Sequence, residues 1–195
     1  VPEVPALLME LLSHQNFADM KYGHDPEFKF NVSRAVYKGV LKFLSDRYGV
    51  PYMVQPLPVK DFSATVLQSG KVRLCWKATA DSLEPTAVPE GFIIQTRVDD
   101  GVFDSGRPAE AMEMDGEYSC FIPIEAGHIY SFRVIAENEG GRSFPSETLA
   151  AGMPAGCEFK KNILIVNNFT RVAPPAWFDT PEYAGFNTAL DAGVP

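Results

Sequence analysis

HIYSFRVIAENEGGRSFPSE, residues 128–147, is the stretch of sequence that decides the fold. Every second position from 130 to 136 carries a core-type residue, namely Tyr130, Phe132, Val134 and Ala136. Because successive side chains of a strand point to opposite faces, this alternation predicts a strand with one buried face. Residues 138–141 predict a turn, since Gly140 and Gly141 adopt positive φ at little steric cost. A second short strand is predicted from Arg142.

The same alternation recurs on the N-terminal side of this hairpin. Its core-facing positions are Phe62, Ala64 and Val66, then Val72, Leu74 and Trp76, then Phe92, Ile94 and Thr96, and finally Tyr118, Cys120, Ile122 and Ile124. A short strand is also predicted at 102–103. Seven short strands with turn residues between them predict a two-sheet Greek-key sandwich. We expect the core to be built from Trp76, Phe92, Ile94, Tyr130, Phe132 and Val134.

The motif Tyr-x-Phe-x-Val-x-Ala-x-Asn-x-x-Gly-x-Ser-x-Pro-Ser, residues 130–146, resembles the F–G hairpin of a fibronectin type III domain. The resemblance implies a mainly β, immunoglobulin-like, seven-stranded sandwich. It also implies a tyrosine corner at Tyr130, whose hydroxyl should bond to backbone just upstream. It carries no catalytic residues, and domains of this type are spacer or interaction modules far more often than enzymes.

The predicted organisation has four parts. Residues 1–50 form the end of an α/β domain, 51–58 a linker, 59–154 the fibronectin type III domain, and 155–195 the incomplete start of a second α/β domain. Pro51, Pro56 and Pro58 predict that the linker is stiff.

The N-terminal piece predicts a strand followed by helices. Its apolar run Ala6–Leu12 suits a strand buried on both faces of a parallel sheet. A helical turn is predicted at 17–20. A longer helix is predicted from Pro26, with Asp25 as N-cap and Gly49 as the stop.

Seven residues of this piece match a motif at the C-terminal end of the zinc-dependent N-acetylmuramoyl-L-alanine amidases: Pro5, Leu7, Leu8, Glu10, Ser13, Ala35 and Gly39. The resemblance implies that Glu10 is an acid/base that assists a zinc-bound water. An equally weighted interpretation is a solvated or ion-paired acid. The family's zinc ligands have no counterpart here, so we expect no cofactor in this chain and zinc only in a parent protein. His14, His24 and His128 are expected to be exposed or locally bonded.

In the C-terminal piece, Ile163–Val166 followed by Asn167 predicts the first strand of the second α/β domain. A loop with Trp177 and Phe178 should follow, and its aromatic rings either stack on sugars or belong to an irregular tail. Because each flank holds an apolar strand without a sheet, we expect the flanks to pack on each other, on the module, or on a second copy of the chain. Self-association is the favoured outcome.

Composition narrows the class of partner. The 195 residues carry 25 acidic and 17 basic side chains, which argues against nucleic acid or anionic membranes. We expect neither a membrane span nor a signal peptide. Cys75, Cys120 and Cys157 lack metal-ligand spacing and do not favour a disulfide framework.

The succession of the pieces resembles multidomain secreted proteins of gut Bacteroidetes named xanthan lyases or amidase-like proteins. It implies an extracellular, periplasmic or cell-surface location, with peptidoglycan or polysaccharide as partners of the parent. The main functional hypothesis is therefore a non-catalytic fibronectin type III module of a glycan- or cell-wall-active protein. The alternatives are part of a zinc amidase, or a carbohydrate-binding module associated with a polysaccharide lyase.

Overall fold

The computed structural model describes residues 4–156, 163–166 and 173–187. The chain divides into two compact units, residues 1–40 with 166–195, and residues 41–165. These limits differ from the domain limits predicted from the sequence. The described helices and strands are, in chain order, α1 (Phe17–Gly23), α2 (Pro26–Tyr48), β1 (Lys60–Leu67), β2 (Lys71–Lys77), β3 (Gly91–Val98), β4 (Arg107–Pro108), β5 (Met112–Met114), β6 (Glu117–Pro123), β7 (Ile129–Asn138), β8 (Gly141–Arg142), β9 (Leu149–Gly152), β10 (Trp177–Asp179) and β11 (Ala184–Phe186).

Two antiparallel sheets form the centre of the second unit. One has the order β1-β2-β6-β5, and the other has the order β4-β3-β7-β8, with β9 also paired to β7. The registers place Trp76 opposite Tyr118 in the first sheet and Phe92 opposite Ala136 in the second. The predicted fold class, a mainly β immunoglobulin-like sandwich, is confirmed.

The core between the sheets is the one that the alternation predicts. Trp76, Phe132 and Val134 are fully buried, Ile94 and Phe92 are nearly so, and Tyr130 packs against them. The Trp76 ring meets Phe92 edge-on at 5.4 Å and stacks on Tyr118 at 6.3 Å between centroids.

Tyr130 forms the predicted corner. The backbone N–H of Glu125, five residues upstream, donates to the Tyr130 hydroxyl at 3.2 Å. The Tyr130 ring stacks nearly parallel to that of Phe132, with an interplanar angle of 11°. The hydroxyl therefore has a structural partner, as predicted.

The strand predicted at 102–103 is wrong. The chain there turns back across the sheet because the Asp104 carboxylate accepts the backbone N–H of Thr96 and of Gly106, each at 3.0 Å. The edge strand is instead β4. Two further strands, β5 and β9, were not predicted, since β5 is exposed throughout and β9 is made of Leu, Ala and Gly.

Both helices begin as the sequence predicts. The Asn16 side chain caps α1 by accepting the N–H groups of Ala18 and Asp19. The Asp25 carboxylate accepts the N–H of Glu27 at 2.9 Å ahead of α2. Gly49 follows α2 with φ of 68°, which terminates the helix.

The two apolar strands predicted in the flanks are wrong. Residues 6–12 and 163–166 have no strand structure and are exposed, with Leu7 at 83% and Ile163 at 87%. A strand that is apolar on both faces needs neighbours on both edges and layers on both sides. The described residues supply neither, and Asn167 lies outside them.

The two flanks do contact each other within the first unit, as predicted. The C-terminal aromatics form the hairpin β10–β11 instead of the predicted loop, and α1 packs on it. Phe17 lies 5.4 Å from Phe186 and 6.4 Å from Trp177, between ring centroids. The Lys21 ammonium sits 3.7 Å above Trp177, so one face of that ring is occupied.

Candidate functional site

The segment from Tyr52 to Val59, most of it predicted as a stiff linker, lies against the sandwich. Val54 is fully buried, Pro56 is almost so, and Val59 is 6% exposed. The Thr79 hydroxyl donates to the Pro58 carbonyl at 2.6 Å. Residues 52–59, which we call the entering segment, are therefore part of the packed module, although they form no regular strand.

One side chain holds this segment in place. The Asn138 amide, at the end of β7, donates to the carbonyls of Val54 (2.9 Å), Thr86 (3.2 Å) and Val88 (3.3 Å). Its own oxygen accepts the N–H of Gly140 at 2.9 Å. A single amide thus joins the entering segment, the β2–β3 loop and the β7–β8 turn. We call these contacts the joint.

The joint leaves no room at Gly140. A Cβ atom there would lie 2.6 Å from the Met53 carbonyl oxygen and 2.9 Å from the Val54 carbonyl carbon. Real Cβ atoms do not approach backbone so closely, so glycine is required for the entering segment to lie where it does.

A cleft of about 530 Å³ adjoins the joint. Its lining is the end of α2 together with the entering segment and the β2–β3 loop, namely Lys42, Ser45, Asp46, Tyr52, Glu84, Pro85 and Thr86. The Glu84 carboxylate is 7% exposed and accepts the hydroxyls of Tyr52 and Thr86, each at 2.8 Å. These bonds hold the loop against the entering segment. A buried carboxylate that is bonded in this way acts as a structural acceptor.

The structure does not assemble an active site around Glu10. Glu10 is exposed in the irregular N-terminal segment, and His14 is exposed in the turn ahead of α1. His24 packs edge-on against Phe186 at 4.6 Å, and His128 pairs with Asp99. In the part of the chain that the structure describes, no three His, Cys, Asp or Glu residues are grouped to hold a metal ion. A catalytic role for Glu10 stays a prediction.

His128 and Asp99 bridge two loops at one end of the sandwich. The Nδ1 atom of His128 lies 2.7 Å from the Asp99 carboxylate, which also accepts the N–H of Ile129 at 2.9 Å. The hydrogen bond to Asp99 raises the pKa of His128 above 6.5, and the bond to His128 lowers the pKa of Asp99 below 3.8. The bridge is thus strongest when both groups are charged.

We expect His128→Gln to destabilise the sandwich in a pH-dependent manner. The His128 contribution is complete below the pKa of the unfolded chain and is lost as pH rises through the raised folded pKa. The Asp99 contribution is present above its unfolded pKa and is lost as pH falls through the lowered folded pKa. Urea unfolding should therefore show a larger loss at about pH 5.5 than at pH 8. His14→Gln, in an exposed turn ahead of α1, is the control. Equal losses at the two pH values would contradict the bridge.

The described cysteines are free and buried. Burial raises the pKa of the Cys120 thiol to about 11 and raises that of Cys75 as well. Cys120 lies in the core, as predicted. Cys75 has the outward parity but is 5% exposed, and Ser63 of β1 and Ser119 of β6 lie opposite it in the sheet. Neither thiol is a candidate nucleophile, since the thiolate is disfavoured. Cys157 lies outside the described residues.

The joint was missed at the level of sequence. Asn138 stood in the matched motif, where it was interpreted as a turn residue. Glu84 and Thr86 stood in a polar, proline-containing loop, in which nothing indicates a long-range partner. The sequence signal was the pair Asn138 and Gly140. An Asn side chain that accepts the backbone N–H two residues further on forms a defined turn, and glycine is favoured in such turns.

No protein-family model matches the chain, and no curated protein matches it. The chain is similar in structure to the twitchin kinase region from C. elegans, at 24% identity and a TM-score of 0.41, over 52% of this chain but only 17% of that one. It is also similar to the third fibronectin III domain of human KIAA0343 protein (13%, TM-score 0.40, 55% of this chain and 90% of that one). A third similar structure is the FN5 domain of Drosophila Lar, at 20% identity and a TM-score of 0.37, over 52% of this chain and 99% of that one. The central module has a fibronectin type III-like fold.

In the fibronectin type III-like module and the other described residues, no helix is both long enough and apolar enough to cross a membrane.

Proposed function

We propose that this chain is a non-catalytic spacer in a multidomain secreted protein that acts on glycans or cell wall. The fibronectin type III-like module fixes the direction in which the chain enters it. The observation that carries the proposal is the joint, in which Asn138 bonds three carbonyls and the entering segment is buried at Val54 and Pro56.

A fixed entry direction is what a spacer needs. A flexible linker would let the preceding residues sample many orientations, whereas a segment that is buried and hydrogen-bonded has one. The Tyr52–Glu84–Thr86 bonds add to this fixation, because they tie the start of the entering segment to the β2–β3 loop. The assignment to a glycan- or cell-wall-active parent is supported by the amidase-like residues of the N-terminal piece.

Limited proteolysis of Asn138→Ala tests the joint. The loss of one amide should raise the cleavage rate between residues 49 and 59 by about tenfold, since each net hydrogen bond contributes roughly 1 kcal/mol and more than one is lost. The matched control is Asn31→Ala, which removes the same group from an exposed position on α2.

Equal cleavage rates in both variants and in the unmutated chain would show that the joint does not fix the entering segment. The proposal that the chain is non-catalytic is tested separately, by measuring the cleavage of peptidoglycan by the full chain with added zinc. Release of muramoyl amide products that disappears in Glu10→Ala would contradict it and favour the amidase alternative.

A further inference from the structure

The outer face of the β3–β7 pair carries two arginines on one aromatic ring. The loop that Asp104 turns back places Phe103 over this face. The guanidinium carbon of Arg133 lies 3.7 Å from the centre of the Phe103 ring, and that of Arg97 lies 5.1 Å from it. Arg97 also donates from Nη2 to the buried Ser131 hydroxyl at 3.1 Å. These contacts hold both guanidinium groups against the same aromatic ring.

The charge of this pair is not neutralised by the described residues. The chain has an excess of acidic side chains, yet no carboxylate in the described ranges forms an ion pair with Arg97 or Arg133. The Nε atoms of both residues are buried and lack an acceptor. Half-buried cations without a counterion are costly, and an anion that reaches their terminal nitrogens would supply the missing counterion.

We propose that Arg97, Arg133 and Phe103 form a binding site for a carboxylate of an acidic polypeptide partner. Guanidinium groups match carboxylates in shape and hydrogen-bond them through parallel N–H groups. Because both Nε atoms are buried, the terminal nitrogens receive the carboxylate. Stacking on Phe103 means that less side-chain entropy is lost when the partner binds.

An acidic peptide fits this surface better than an acidic sugar. A sugar ring gains much of its affinity by stacking on an open aromatic face, and here Arg133 covers the Phe103 ring at van der Waals distance. What the site presents is paired cationic donors on a sheet face, which suits side chains that project from an extended acidic segment. The inference does not depend on the spacer role.

Titration of the isotope-labelled chain with a hexaglutamate peptide, followed by NMR, tests the site. We expect chemical-shift changes at β3, β7 and residues 102–105, and none with hexaglutamine. The double variant Arg97→Gln/Arg133→Gln should bind at least about tenfold more weakly, as expected for the loss of charge-assisted hydrogen bonds. The matched control is Arg73→Gln, which removes the same charge from an exposed position on β2 of the other sheet.

Three results would overturn the proposal. They are no localised shifts with hexaglutamate, an equal loss in Arg73→Gln, and binding of oligogalacturonate in preference to hexaglutamate. If the double variant misfolds, Arg97→Lys/Arg133→Lys replaces it, since it keeps the charge and loses the planar donors. Undiminished affinity in the lysine variant would likewise contradict the site.

Discussion

Replacing Trp76 by alanine should lower the free energy of unfolding of the sandwich by about 3–5 kcal/mol, because a large buried ring is lost and a cavity is left. Trp76 is fully buried and contacts Phe92 and Tyr118 from the C-terminal end of β2. Its indole N–H has no acceptor, so the stabilisation comes from apolar contact. The expected loss is a large fraction of the roughly 5–15 kcal/mol that a domain has in total.

Hydrogen exchange in the β3–β7 ladder measures this effect in the whole chain. The matched control is Trp177→Ala, since that ring is 54% exposed and belongs to the other unit. In Trp177→Ala, hydrogen exchange in the β3–β7 ladder should be as slow as in the unmutated chain. A change below about 1 kcal/mol in Trp76→Ala would mean that the core is not centred on this residue.

Gly140→Ala should cost about 1–3 kcal/mol and release the entering segment, because an added methyl group overlaps backbone that cannot move by a side-chain rotation. The blocking atoms are the Met53 carbonyl oxygen and carbon and the Val54 carbonyl carbon, all within 2.9 Å of the position that the alanine Cβ would occupy. The exchange rate of the Val54 amide, which donates to the Thr86 hydroxyl at 3.1 Å, reports the release directly.

Gly39→Ala is the control for the backbone effect of alanine. A Cβ at Gly39 would meet nothing within 4 Å, and alanine favours a helix by about 1 kcal/mol, so this variant should be neutral or stabilised. Slow exchange at Val54 in Gly140→Ala would show that the entering segment does not depend on the close approach at Gly140.

The sequence predicts the sandwich well where a strand alternates between a large apolar face and a polar one. Trp76, Ile94, Phe132 and Val134 all lie in the core for this reason. The prediction fails where burial depends on a neighbour that the pattern does not contain. Cys75 is buried although its parity is outward, and residues 102–103 leave the sheet because the Asp104 carboxylate accepts the backbone N–H groups of Thr96 and Gly106.

The candidate sites show the same limit more strongly. Asn138 and Val54 are 84 positions apart in the chain, and no local pattern joins them. The apolar runs at 6–12 and 163–166 fulfil the composition of strands but lack partners among the described residues. A β-strand is stabilised by hydrogen bonds to a neighbouring strand, and the sequence of one segment does not say whether that neighbour is present.

The edges of both sheets are poor templates for a strand of another chain. β4 and β8 are two residues long and β5 is three, while Pro108 removes a backbone donor from β4. The long edge strand β1 is bent by a bulge near Asp61, which has φ of 54°. Bulges, prolines and short strands all hinder edge-to-edge pairing. Edge-to-edge pairing between copies of this module is therefore disfavoured, which favours other surfaces for any association between them.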